Sequence, residues 1–173
     1  QNLIEGSGVI GTLMTNKALE IHFGEKNIDF YRSDVGDKYV LQKLVEKNWL
    51  LGGEPSGHII CLDSAPTGDA IIAALKFLDA VKNDNFSIDK TLNNFKKFPQ
   101  TLINLKVDNP NNIILSDKFW SEVTKIESIL GNDGRVLIRP SGTEPLIRIM
   151  VESKDASTSE DLCNTLAELA LRL

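Results

Sequence analysis

Short apolar runs alternating with stretches of helical periodicity organise the first half of the chain. Val9-Ile10-Gly11-Thr12-Leu13-Met14 is the first such run, and Asn16 is placed to cap a helix that carries through His22 and stops at Gly24. Ile28 to Arg32 predicts the next strand. Asp37 then caps a helix whose Val40, Leu41, Leu44 and Val45 recur at helical spacing. Trp49-Leu50-Leu51 and His58-Ile59-Ile60-Cys61-Leu62 predict two strands around a turn at Gly53–Gly57. Thr67 opens a further helix, with Ile71, Ala74, Leu75, Leu78 and Val81 on one stripe. This repeated strand–helix–strand order predicts an α/β fold with a mixed, mostly parallel, helix-covered sheet.

The pattern changes after Val81. Lys82-Asn83-Asp84-Asn85 is a polar break, and a short helix from Ser87 to Phe95 precedes Phe98-Pro99. Thr101 to Val107 alternates as a strand does, with Ile103, Leu105 and Val107 on one face. A polar loop, 108–112, follows. Ser116 caps a helix carrying Phe119, Val123, Ile126 and Leu130, which ends at Gly131. Strands then run from Arg135 to Arg139 and from Leu146 to Glu152. Ser157-Thr158-Ser159-Glu160 reads as a capping box for a last helix with Leu162, Leu166, Leu169 and Leu173. We therefore expect two domains, 1–96 and 97–173, the second a small α+β domain with an antiparallel sheet and two helices.

Composition narrows the class. The chain has 173 residues, 42% hydrophobic and 25% charged, as expected of a globular protein with room for two small cores. Its net charge of −5 and the lack of any basic block argue against nucleic acid as a partner. No apolar run approaches the ~20 residues of a membrane span, and the start has no signal-peptide pattern, so a cytoplasmic location is expected. Cys61 and Cys163 read as buried thiols of a reducing compartment, and no Cys/His metal pattern is present.

The link Arg139-Pro140-Ser141-Gly142-Thr143-Glu144-Pro145, with Arg148 just beyond, concentrates hydroxyls, backbone N–H groups and two guanidinium groups between two apolar strands. Such a link suits an oxyanion, and phosphate above all. An ordinary hairpin with two solvated arginines uses the same residues. In Gly53-Glu54-Pro55-Ser56-Gly57-His58, Glu54, Ser56 and His58 could read the hydroxyls of a polyhydroxyl ligand, or simply form a glycine-rich turn. Gly36, Asp37 and Lys38, at a strand end leading into a helix, are a weaker candidate contact, since an N-cap alone accounts for Asp37. The chain offers binding groups but no evident chemical centre.

Arg139 to Pro145 resembles the phosphate-binding loop of the α-D-phosphohexomutases, and Gly53 to His58 resembles their sugar-recognition loop. Thr12-Leu13-Met14-Thr15-Asn16, Val35-Gly36-Asp37-Lys38-Tyr39-Val40 and Phe98-Pro99-Gln100 extend the resemblance over essentially the whole chain. Family members have four domains. The resemblance thus implies an incomplete third domain and a fourth, a C-terminal fragment without the catalytic phosphoserine or the Asp-rich Mg²⁺ loop, and inactive alone. It implies that Arg139, Ser141, Gly142, Thr143 and Arg148 hold a substrate phosphate, and Glu54, Ser56 and His58 the sugar. The implied partners are a phosphorylated hexosamine, the missing N-terminal domains and, as an assembly, a homodimer. Asp37 after Gly36 leans toward the branch interconverting glucosamine 6-phosphate and glucosamine 1-phosphate. Pro55 departs from the polar residue expected in the sugar loop. The mannose/glucose branch and a non-catalytic phosphosugar-binding module stay open.

Overall fold

The computed structural model describes residues 8–82, 87–93, 95–142 and 144–173. The chain divides into two compact units, Gln1–Lys97 and Phe98–Leu173.

In the first unit β1 (Gly8–Thr12), α1 (Lys17–Glu25), β2 (Asp29–Ser33), α2 (Asp37–Lys47), β3 (Leu51–Gly53), β4 (Ile59–Cys61), α3 (Ala70–Val81) and α4 (Ile88–Asn93) follow in order. The sheet order is β2-β1-β3-β4, with β1 parallel to both β2 and β3, and β4 antiparallel to β3. Val40 and Leu44 of α2 close over Ile10 and Ile60 to form the core. Each such side chain, fully buried, contributes about 1.5–3 kcal/mol.

Several boundaries move from the expectation for local reasons. Asp37 is the first residue of α2, not its cap: Gly36 holds the N-cap position, with no side-chain cap bond. Asp69, not Thr67, caps α3, accepting from the N–H groups of Ile71 and Ile72. The strand expected at Trp49–Leu51 begins only at Leu51, because the Trp49 N–H bonds back to the Leu44 carbonyl and finishes α2.

The second unit contains β5 (Gln100–Lys106), α5 (Pro110–Ile114), α6 (Asp117–Leu130), β6 (Gly134–Pro140), β7 (Leu146–Ser153) and α7 (Ala156–Ala170). Its sheet is antiparallel, in the order β5-β7-β6. Phe119, Val123, Ile126 and Leu130 of α6 and Cys163 and Leu166 of α7 pack on Ile147, Ile149 and Val151 of the central strand. Residues 146, 148, 150 and 152 therefore point to the opposite sheet face. There Glu152, fully buried, receives the Arg135 guanidinium through Nε at 2.7 Å and Nη2 at 3.2 Å. Within the loop expected at 108–112, Asn109 caps α5 and Pro110 stands in its first turn. Asp155, not the expected Ser157, caps α7, its carboxylate accepting from the Thr158 N–H and from the hydroxyls of Ser157 and Thr158.

Candidate functional site

Because β1, β2 and β3 are parallel, the loops that follow them leave the sheet at one edge. The chain leaves β1 for β2 on one side, while β3 pairs on the other. This is the strand-order reversal at which open α/β sheets bind ligands. The loop after β1 is braced from within. Thr15 Oγ1 accepts from the Thr12 N–H at 2.9 Å, and Arg32 Nη1 donates to the carbonyls of Thr12 and Thr15. Glu20 Oε2 receives Arg32 Nε at 3.0 Å and Nη2 at 2.8 Å, and Glu20 Oε1 receives Lys17. Burial works to raise the Glu20 carboxyl, but the hydrogen bonds and charges of Lys17 and Arg32 hold it below its ordinary value.

The loop after β3 is a tight hairpin: the Glu54 N–H bonds to the His58 carbonyl at 2.9 Å, and the Gly57 N–H to the Glu54 carbonyl at 3.0 Å. Ser56 Oγ and His58 Nδ1 lie 3.1 Å apart, and both side chains are exposed. Glu54 is half-buried, and its Oε1 accepts from the Gly36 N–H at 2.9 Å. The residues singled out separately as a sugar loop and a strand-end loop thus form one constellation. Gly36 has φ 127°, a region that disfavours side chains, so glycine is the residue that aims this N–H at Glu54. Asp37 Oδ1 accepts from the Lys38 N–H, and Lys38 Nζ lies 5.6 Å from the centre of the Tyr39 ring. Both Asp37 and Lys38 are exposed. Met14, Asn16, Glu54 and Pro55 are among the residues that border a groove of about 410 Å³ along β1 and β3. Sequence pattern gave no signal for the Glu54–Gly36 bond, which joins loops from different strands.

In the second unit β6 and β7 form a hairpin with Arg139 directly opposite Arg148. Ile138 and Ile149 face the helices, so both arginines stand on the other sheet face. Directly opposite side chains have Cβ atoms about 4.5–5.5 Å apart, and like charges so placed repel. Among the described residues neither guanidinium has an ion-pair partner, and Arg148 Nε is buried without a hydrogen-bond partner. The Ser141 N–H closes the hairpin on the Leu146 carbonyl at 2.9 Å, so it is not one of the loop's outward donors. At Gly142 φ is not positive and an added Cβ would meet nothing within 4 Å. Neither strain nor packing demands glycine there. Thr143 lies outside the described residues.

No group of three or more metal-ligating side chains occurs among the described residues. Nor is any helix among them long and apolar enough to cross a membrane. Gly6 to Gly11 spells G-x-G-x-x-G, but Gly8 and Gly11 lie within β1 and not at a strand-to-helix turn, so this is no dinucleotide loop.

Fold and site define an α/β unit with its polar loops gathered at the carboxyl edge of the parallel strands, followed by an antiparallel unit that presents a facing arginine pair. Residues 1–98 match the family description "Phosphoglucomutase/phosphomannomutase, alpha/beta/alpha domain III", and residues 102–169 match "Phosphoglucomutase/phosphomannomutase, C-terminal domain". The chain belongs to the phosphoglucomutase/phosphomannomutase family. It is 48% identical over 160 residues to the phosphoglucosamine mutase of Janthinobacterium sp. (strain Marseille), covering 92% of this chain and 36% of that one. To the phosphoglucosamine mutase of Legionella pneumophila (strain Corby) it is 43% identical over 170 residues, 96% of this chain and 37% of that one. The chain thus spans little more than a third of the length of these curated relatives. Among solved structures it resembles Aspergillus fumigatus N-acetylphosphoglucosamine mutase in complex with GlcNAc-6P and magnesium. The TM-score is 0.78 and the identity 18%, covering 98% of this chain and 44% of that one. A phosphoglucomutase/phosphomannomutase family protein from Burkholderia thailandensis gives a TM-score of 0.75 at 22% identity, covering 98% of this chain and 38% of that one. At these identities the structural likeness speaks for the fold.

Proposed function

We propose that the chain is the substrate-binding part of a cytoplasmic phosphoglucosamine mutase, which interconverts glucosamine 6-phosphate and glucosamine 1-phosphate and supplies UDP-N-acetylglucosamine synthesis. The observation that carries this reading is the facing pair Arg139 and Arg148, with no counter-charge among the described residues and the Arg148 Nε left orphaned. A phosphate dianion neutralises both charges and gives that Nε its partner through charge-assisted hydrogen bonds. Identity to curated phosphoglucosamine mutases supports glucosamine as the sugar.

In the reaction a phosphoserine outside the 173 residues gives its phosphoryl group to the free hydroxyl of the hexosamine phosphate. The bisphosphorylated sugar turns end for end, and its other phosphoryl group returns to the serine. Mg²⁺, held outside these residues, supplies charge neutralisation at the transferred group. This chain's share is positioning. Arg139, Arg148, Ser141, Thr143 and the Gly142 N–H hold the phosphate that is not transferred. Glu54, Ser56 and His58 take the sugar hydroxyls, with Gly36, Asp37 and Lys38 at the edge.

Calorimetric titration of the chain with glucosamine 6-phosphate and with inorganic phosphate tests this. Charge-assisted bonds contribute about 1.5–3 kcal/mol each. Arg148→Ala is therefore expected to weaken both ligands by roughly tenfold or more. Unchanged affinity in that variant contradicts the role of the arginine pair.

A further inference from the structure

The row that holds the two arginines does not end at β7. In the antiparallel register Arg148 stands opposite Arg139 on one side and opposite Asn104 of β5 on the other. Directly opposite residues share a sheet face, so Asn104, Arg148 and Arg139 form one line across the face opposite α6 and α7. Asn104 is exposed, and among the described residues its amide has no hydrogen-bond partner. Asparagine is disfavoured in strands, and its neighbours in β5 on this face are Leu102 and Lys106. Lys106, opposite Leu146, adds a positive charge one row nearer the hairpin.

We propose that Asn104 is a third member of the anion site, its carboxamide donating to an oxygen of the same phosphate that Arg139 and Arg148 neutralise. The inference rests on the phosphate-binding reading of the arginine pair. The chemistry favours an amide at this position. It supplies N–H donors without adding a third charge to the row, and it cannot neutralise Arg148 in the absence of ligand. A carboxylate there would do the reverse: it would occupy Arg148 permanently and repel phosphate.

That contrast makes the test specific. Inorganic phosphate is titrated into the 173-residue chain by ³¹P NMR, with Asn104→Ala, Asn104→Asp, Arg148→Ala and, as a control on the same strand and face, Gln100→Ala. Thermal melts of each variant accompany the titrations. Loss of a single neutral donor in Asn104→Ala is expected to weaken phosphate binding about three- to tenfold. Asn104→Asp is expected to weaken it further while raising the melting temperature, because the new carboxylate relieves the arginine repulsion. Gln100→Ala leaves binding unchanged. If Arg148→Ala loses phosphate but both Asn104 variants bind like the parent, Asn104 is no part of the site and the arginine reading stands alone. If Arg148→Ala also binds like the parent, or the parent does not bind phosphate, the reading beneath the proposal fails with it.

Discussion

At the scale of single residues, Glu54 is the side chain whose role the structure redefines. Sequence assigns it to a sugar hydroxyl, yet one of its oxygens is committed to the Gly36 N–H at 2.9 Å. Gly36 is the N-cap residue of an eleven-residue helix and has no side-chain cap, so a carboxylate here also sits favourably against the helix dipole. Glu54 therefore ties the loop after β3 to the start of α2. Removing it in Glu54→Ala is expected to speed hydrogen exchange at the Gly36 amide by about tenfold or more, whereas Glu54→Gln, which keeps an acceptor oxygen, has a smaller effect. Exchange at Gly36 unaltered in Glu54→Ala would remove the link between the two loops. Nothing in the sequence pattern could have paired Glu54 with Gly36, because the bond depends on β2 and β3 leaving the sheet at the same edge. The facing of Arg139 and Arg148, by contrast, is available from counting back through a hairpin centred on the Gly142–Pro145 stretch.

At the scale of elements, α6 was legible because a single stripe, Phe119, Val123, Ile126 and Leu130, states both period and buried face, whereas α5 lies in a stretch expected to be a loop. The start of α7 was less so. Ser157 and Asp155 can both cap, and the aspartate prevails because its carboxylate takes one N–H and two hydroxyls at once. In α3 the stripe was equally clear, yet no residue of the helix is buried and Ile71 is 73% exposed. Periodicity identifies an apolar face but not what covers it. The Arg32–Glu20 pair ties β2 to α1 and braces the loop after β1, and its strength follows pH. A carboxyl whose folded value is depressed adds stability that is fully present above its unfolded value. That stability is lost as pH falls through the lower folded value. For Glu20 the loss lies below its ordinary value of 4.5. Other carboxyls titrate in the same range, so the diagnostic is the difference between variants. The melting temperature of Glu20→Gln should fall less than that of the parent between pH 6 and pH 3. Parallel curves would show that the pair contributes nothing; exposure of part of the pair keeps the expected effect modest.

At the scale of the whole molecule, two units with different sheets each present a polar site. In the first, hydrogen-bonding groups gather at the carboxyl edge of parallel strands; in the second, two arginines face each other on the sheet face opposite the helices. In the proposed function the chain holds substrate, so the isolated 173 residues are predicted to bind glucosamine 6-phosphate weakly and not to interconvert glucosamine phosphates. Arg148 Nε is a buried donor with no hydrogen-bond partner among the described residues. The most direct measurement is therefore the ¹H–¹⁵N resonance of that Nε–H during titration with glucosamine 6-phosphate. A saturable downfield shift is expected as the phosphate becomes its acceptor, accompanied by shifts at Arg139 and the Gly142 amide. An Arg148 Nε–H that stays in place while the sugar phosphate saturates the chain would contradict the proposed role of Arg148.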